Sequence, residues 1–238
     1  MGEKNSATIE DYLETLYILQ RDGVPIVGAR LAEILGVTPP TVTNTLKRMT
    51  RDGLIIANDI QGFLLTESGL EMARSVMRRH MLTEWLLMRV LKVPWSQTHS
   101  EAHKWEHIVS EMIEEQMRTN LGNPKTCPHG NPMPGFESSM ANWIPLAEIV
   151  PGETVIIRRI HELGENDPGL MKFLEENGII PGAEVEISEI LTFNQSISLK
   201  VKDHQVSIGF SIVKFIYVEK LLQTHQRWSA AEKPGFTS

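Results

Sequence analysis

Residues 27–66, VGARLAEILGVTPPTVTNTLKRMTRDGLIIANDIQGFLLT, hold the pattern from which the rest of the chain is read. VGARLAEILGV reads as a short helix ending at Gly36. TPPTVTNTLKRMTRDGL reads as a second helix, with Thr38 as N-cap, a proline in its first turn and Gly53 as its stop. A connection of about four or five residues is expected between them. LIIAND and FLLT then form two apolar or β-branched runs around a polar turn, the signal of a hairpin. Helix, turn, helix, hairpin is the order of a winged helix-turn-helix, whose second helix, 39–51, would enter the major groove of DNA.

The charge of this stretch agrees with that reading. No acid occurs between Ile34 and Arg51, while Lys47, Arg48 and Arg51 are basic. Thr41, Thr43 and Asn44, with Thr38 and Pro40 beside them, stand at the exposed start of the helix, where base edges and phosphates are met. Two plainer explanations compete with it. A winged helix also serves protein contact, and basic residues at a helix C-terminus complement its macrodipole.

Before this unit, residues 7–20, ATIEDYLETLYILQ, space Ile9, Leu13, Leu16, Tyr17 and Leu19 as one face of a helix, with Asp11 and Glu14 on its polar flank. After it, a long helical stretch runs from Glu67 to a break at Pro94. His80 and Glu84 lie four apart in it and so point from one face. The following segment, THSEAHKWEHIVSEMIEEQMRTNLG, is expected to be helical until Gly122. At about 100° per residue, His99, His103, Glu106 and His107 would share one arc, beside an apolar arc of Ala102, Val109, Met112 and Ile113.

The chain has eight histidines, and four of them, interleaved with Glu, fall within residues 80–107. Imidazole and carboxylate suit divalent first-row metals, and one helix turn supplies only part of a coordination shell. His80 and Glu84, with Asp11 and Glu14, would complete it and give enough donors for two neighbouring sites. His99 or His103 taken alone reads as an ordinary histidine. The single Cys127 excludes an internal disulfide and a multi-cysteine zinc site. WEHIVSE lacks the H-E-x-x-H spacing of a zinc protease.

The stretch 121–135, LGNPKTCPHGNPMPG, cannot continue a helix. Cys127 and His129 in it read as a free thiol and a loop histidine. Residues 144–219 change to short alternating strands with two Pro-Gly turns and one helix near 168–177, a small SH3-like β-barrel. The tail after Leu222 is polar and expected to fray. The expected class is α+β, mainly α. Its expected units are a winged helix-turn-helix (1–74), a helical metal-binding domain (75–123), a linker (124–143), the barrel (144–222) and the tail (223–238).

Composition bounds the function. At 238 residues and 41% hydrophobic content the chain can bury a sizeable core in two or three domains. No apolar run approaches the roughly 18 residues of a membrane span, and MGEKNSATIEDY lacks a signal-peptide pattern. A cytoplasmic protein without membrane contact is expected. A net charge of −7 is unhelpful for a constitutive nucleic-acid binder, so DNA binding must be local or conditional.

The succession of winged helix, VMRRHMLTEWLL, HSEAHKWEHIVSE and CPHGNPMPG resembles the diphtheria toxin repressor family, which includes iron-dependent and manganese-dependent regulators of metal uptake. The resemblance covers nearly the whole chain. It implies a homodimer that, once loaded with a divalent metal between the dimerisation helices and the first helix, binds a palindromic operator on double-stranded DNA as a repressor. It also implies two metal sites per subunit. Asp11, His103, Glu106 and His107 match the primary, activating site, and His80, Glu84 and His99 the ancillary site. The C-terminal region resembles the same domain of longer members and the small ferrous-transport accessory proteins. In some members that domain donates an ancillary ligand, and Glu165 in GENDPG lies near the matching place.

Iron-sensing members carry Met and Cys where this chain has Asp11 and His103. Manganese-sensing members carry Asp and a carboxylate there, together with the acid that Glu14 matches. The sulfur-free set points to Mn(II), with Fe(II) second, although Zn(II) and Cu(II) bind more tightly by intrinsic order. A competing class is a metallohydrolase using the His/Glu cluster to activate water, with Glu101 or Glu84 as base. It gives the winged helix no role, and no enzyme is expected. A metal-transport accessory protein would explain the barrel but not the first 120 residues.

Overall fold

The structure is a computed structural model that describes residues 7–221, and the tail expected to fray lies outside them. Helix α1 (Ala7–Arg21) buries Leu13, Leu16 and Leu19 against the rest of the N-terminal half. Helices α2 (Gly28–Leu35) and α3 (Pro39–Arg51) follow, then the wing strands β1 (Ile55–Asn58) and β2 (Gly62–Leu65), paired antiparallel. Only Gly36, Val37 and Thr38 separate α2 from α3, fewer than expected. Gly36 reverses the chain at φ +64°, and Pro39 and Pro40 fit directly into the first turn of α3, where backbone N–H groups need no helical partner. Thr38 occupies the N-cap without a side-chain cap bond; its hydroxyl pairs with that of Thr41 at 2.9 Å.

Helix α4 (Glu67–Arg89) starts where Thr66 Oγ1 accepts from Gly69 N at 3.1 Å. A Cβ on Gly69 would stand 2.0 Å from the Leu54 carbonyl oxygen, so only glycine lets α4 leave the wing this closely. The helix runs unbroken past residue 74, and one apolar core joins α1, α2, α3, the wing and α4. The next segment departs from the expected single helix. Helix α5 (Thr98–Ala102) stops, residues 103–108 form turns, and Ser110 caps a separate α6 (Glu111–Asn120). The cause is a long-range contact: Arg79 Nε donates to the Glu106 carbonyl at 2.8 Å, and that carbonyl lies outside any helical ladder. Met112 and Ile113, expected beside the buried arc, are exposed on α6.

The C-terminal unit contains β3 (Ile144–Pro145), β4 (Thr154–Ile160), α7 (Glu162–Glu165), α8 (Pro168–Glu176), β5 (Glu184–Leu191), β6 (Ser196–Val201), β7 (His204–Gly209), α9 (Phe210–Val213) and β8 (Ile216–Lys220). Its six strands pair antiparallel in the order β3-β8-β4-β5-β6-β7. Register breaks after Ile157 and Ile187 bend the sheet around a second core, giving the SH3-like form.

The halves are joined by segment 127–131 and by charge. Gly130 sits at φ +90°, and a Cβ there would lie 1.9 Å from the Arg158 carbonyl oxygen of β4. Buried Asn131 donates to the Ile160 carbonyl at 2.7 Å and accepts from Arg159 Nε at 2.5 Å. From the end of α1, Arg21 reaches Glu162 of α7 with two hydrogen bonds of 2.6 and 2.9 Å. Arg159 adds bonds to Asp22 at 3.0 Å and to Glu162 at 2.8 Å. Burial opposes ionisation in this cluster, but Arg21 and Arg159 hold the Glu162 carboxyl far below the usual carboxylate range.

Candidate metal centre

Two clusters of donor atoms lie side by side at the junction of α1, α4, the 103–108 turns and α7. In the first, Asp11 of α1 meets His103, Glu106 and His107, with one donor atom from each, all within 4.8 Å of one another. His107 Nε2 is 3.3 Å from Asp11 Oδ1 and 3.5 Å from Glu106 Oε1, and His103 Nδ1 is 3.0 Å from Glu106 Oε1. These approaches lack hydrogen-bond alignment. Asp11 Oδ1 and Glu106 Oε1 are both buried with no hydrogen-bond partner. An orphaned buried carboxylate oxygen is costly, and the burial is offset when a cation takes its lone pairs. Metal bonds of about 2.1 Å span donors up to about 4.2 Å apart, so this set fits a divalent ion with little rearrangement.

The second cluster joins His80 and Glu84 of α4, His99 of α5 and Glu165 of α7, again within 4.8 Å of one another and all buried. His99 Nδ1 stands 2.9 Å from Glu165 and 3.3 Å from Glu84, while His80 Nε2 lies 3.1 Å from Glu84 and 3.0 Å from His99 Nδ1. Glu165, which precedes a Pro-Gly turn and would ordinarily be solvated, is buried because α7 is pinned across the junction. Here too Glu84 Oε2 is buried without a hydrogen-bond partner.

Two residues read from the sequence as bystanders belong to this cluster's wall. His129 is completely buried, with Nδ1 3.3 Å from Glu84 and 3.4 Å from Glu165, and it forms a further donor group with Glu84 and Cys127. It is no ordinary loop histidine. The Cys127 thiol is buried, and that burial, with Glu84 and Glu165 nearby, pushes its pKa well up. Their burial goes with that of Gly130 and Asn131 directly after them, where the chain packs against the Arg158 backbone.

One side chain of the second cluster reaches the first. His80 turns Nε2 to the second cluster and Nδ1 to Glu106 of the first, in a very short contact. Buried Glu14, read from the sequence as a candidate donor on the polar flank of α1, groups with His80 and Glu106 in a third donor set. Burial and the neighbouring Glu106 push Glu14 up to about 7. Burial alone would make His99 less basic, but Glu165 and Glu84 raise it to about 10; Glu106, opposed by burial, is drawn down to about 2 by His103 and His80. Burial is also the largest influence on Asp11, whose pKa is raised. A cavity of about 320 Å³ opens beside both clusters, touching Asp11, Glu14, His103, His99 and Glu165.

The residues expected from the sequence to contact DNA lie on the exposed side of α3. Thr38, Pro40, Thr41, Thr43, Asn44, Lys47, Arg48 and Arg51 are all exposed or half-buried at the surface, whereas Val42, Leu46 and Met49 anchor the helix in the core. Thr43 Oγ1 donates back to the Pro39 carbonyl at 3.0 Å, and Arg51 pairs with Asp52 at 2.9 Å. Among the described residues no helix is long and apolar enough to cross a membrane.

Comparison with known proteins follows the same division. The N-terminal DNA-binding domain of iron-dependent repressors matches residues 4–62, their metal-binding and dimerisation domain matches 66–135, and the FeoA domain matches 144–220. The iron-dependent repressor IdeR of Mycobacterium tuberculosis is 35% identical over 226 residues, 90% of this chain and 97% of its own. The diphtheria toxin repressor of Corynebacterium diphtheriae is 34% identical over 189 residues, covering 76% and 84%. Among solved structures, a manganese-dependent transcriptional repressor in complex with manganese superposes with a TM-score of 0.79 at 27% identity, covering 90% of this chain and all of the other. ScaR with bound Zn2+ gives 0.76 at 31% identity, covering 90% and 99%. In both sequence and architecture, the chain belongs to the iron-dependent repressor family that includes the diphtheria toxin repressor.

Proposed function

We propose that this protein is a metal-gated transcriptional repressor in which divalent metal binding to the Asp11, His103, Glu106 and His107 cluster fixes the position of the DNA-reading head. One observation carries the reading: the donor set joins α1, which packs in the core of the reading head, to the 103–108 turns, and leaves two buried carboxylate oxygens unsatisfied. A bound dication supplies the positive charge that cancels repulsion among these carboxylates. The chain's own residues then hold α1 in place: Asp11 from one side, Glu106 and His107 from the other. Glu14 extends this set through its group with His80 and Glu106. His80, Glu84, His99 and Glu165, with His129 and Cys127 in the wall, form an ancillary site that fastens the C-terminal unit to α4 and α5.

Mn(II) is the ion we assign. The primary donors are nitrogen and oxygen only, which suits Mn(II) better than a thiolate set would. Fe(II) is the second reading, supported by the identity with iron-dependent repressors. The protein acts as a homodimer on a palindromic operator, with α3 in the major groove through Thr38, Pro40, Thr41, Thr43, Asn44, Lys47, Arg48 and Arg51. Exposed Trp105, Ile108, Met112 and Ile113, within the stretch matching a dimerisation domain, supply an apolar face for the partner subunit. A hydrolase reading finds no support, because the relatives are repressors and the winged helix would have no task in it.

The test is fluorescence-anisotropy titration of DNA selected from a random pool, using metal-free protein with Mn(II), anaerobic Fe(II), Co(II) or Zn(II). Binding that appears only with metal, and at the lowest free ion concentration relative to cellular supply for Mn(II), supports the proposal. Equal binding in chelator would refute it.

A further inference from the structure

The primary cluster leaves one polar contact unexplained. His107 presents Nε2 to Asp11 and Glu106, and its other ring nitrogen, Nδ1, lies 2.7 Å from Glu10 Oε2. Glu10 is not among the grouped donors, yet it is only partly accessible and is itself held, with Arg79 Nη2 donating to the same oxygen at 3.1 Å. Arg79 also donates through Nε to the Glu106 carbonyl at 2.8 Å, so one guanidinium braces both the turn carrying His107 and the acid facing that histidine. Glu10 and Asp11 are neighbours on α1, and between them they address both nitrogens of one imidazole.

An imidazole binds metal through a nitrogen that bears no proton, and the hydrogen bond at its other nitrogen determines which one that is. A carboxylate at Nδ1 accepts the N–H, fixes the ring orientation and raises the basicity of Nε2. We infer that Glu10 is a positioning residue for the primary metal site, holding His107 with Nδ1 protonated and Nε2 bare toward Asp11 and Glu106. This rests on the proposed metal-gated reading. It adds that α1 engages the site by two successive residues, one toward the ion and one behind the ligand.

The role is tested by Zn(II) affinity, measured by competition with a chromophoric chelator in a His99→Ala parent whose ancillary site is disabled. Glu10→Ala is expected to weaken primary-site affinity about 10- to 100-fold, the usual cost of losing such a support. Glu10→Gln, whose amide oxygen still accepts from Nδ1, should stay within about threefold of the parent, and Glu10→Asp, charged but too short, should lose as much as alanine. The discriminating readout is the double-mutant cycle with His107→Ala: Glu10→Ala should cost nothing further once the imidazole is gone. Full additivity of the two losses, or parent-like affinity in both Glu10→Ala and Glu10→Asp, overturns the positioning role. A parent that takes up no Zn(II) overturns the sensor reading itself, which separates the two failures. If Glu10→Ala does not fold, the contrast between Glu10→Asp and Glu10→Gln decides the question: loss in Asp alone supports the role, and equal affinities overturn it.

Discussion

The two donor clusters are linked through the His80–Glu106 contact but differ in how they are enclosed. In the first, Glu106 is fully buried, yet the His103 side chain is 51% exposed and that of Asp11 32%. In the second, His80, Glu84 and Glu165 are each 3% exposed or less, and His129 is completely buried. The first gathers donors from a helix and a turn that are braced by Arg79 and Glu10 and only partly buried. The second gathers them from α4, α5, α7 and the 127–131 segment, of which α7 and Asn131 are pinned by the ion-paired junction. An exchangeable ion suits the first enclosure, and a retained one that consolidates the fold suits the second.

Four changes would break or sharpen this contrast. Glu106→Ala should have the largest effect, because it removes a primary donor and strips His80 and His103 of their partner. We expect metal affinity to fall about 1000-fold, or about 4 kcal/mol, by isothermal titration. Loss confined to one of the two binding events would show that the clusters are independent. Arg21→Ala attacks the junction that encloses the second cluster. Breaking a buried pair costs about 3–5 kcal/mol, and the lower end is expected because Arg159 still reaches Glu162. The thermal midpoint of the apo-protein should drop, and an unchanged midpoint would mean that the junction is not cohesive.

Glu165→Ala should weaken ancillary binding about tenfold, about 1.4 kcal/mol, with primary affinity little changed. Equal losses at both sites would erase the distinction between them. The last change concerns a slope against pH and not a fixed loss. Glu14 is a carboxylic acid whose folded pKa, about 7, lies above the ordinary glutamate value of 4.5. The folded apo-protein therefore holds this proton more tightly than the unfolded chain, and stability falls as pH rises from about 4.5 through 7. Glu14→Gln should flatten that decline in urea titrations of the apo-protein. A slope identical to that of the native chain would mean that Glu14 is ionised in the fold.

The helix-turn-helix was legible because its determinants are local: glycine and proline punctuation, and apolar spacing at Val42, Leu46 and Met49. The donor set was legible as residue types, and the fold does bring those side chains together. Its scaffold was not. Periodicity over 98–122 suggested one helix, whereas Arg79, 27 residues away from Glu106, takes that carbonyl and opens the turns that converge on Asp11. No short window of sequence contains such a contact. Cys127, His129 and the burial of Glu165 were hidden for a related reason, since they depend on how β4 and α7 meet the helical layer. Gly130 was the available clue, needed where the Arg158 backbone passes too near for any side chain. Glu10 was invisible as well, because its meaning lies in the second nitrogen of a histidine 97 residues away.

The central claim is that Asp11 converts metal occupancy into the position of the reading head. It is tested most directly by an Asp11→Ala protein whose bound Mn(II) and operator affinity are measured in the same sample. The account predicts that the ancillary site still fills while metal-stimulated DNA binding is lost. Operator binding by Asp11→Ala that still switches on with metal, at the native concentration, would contradict it.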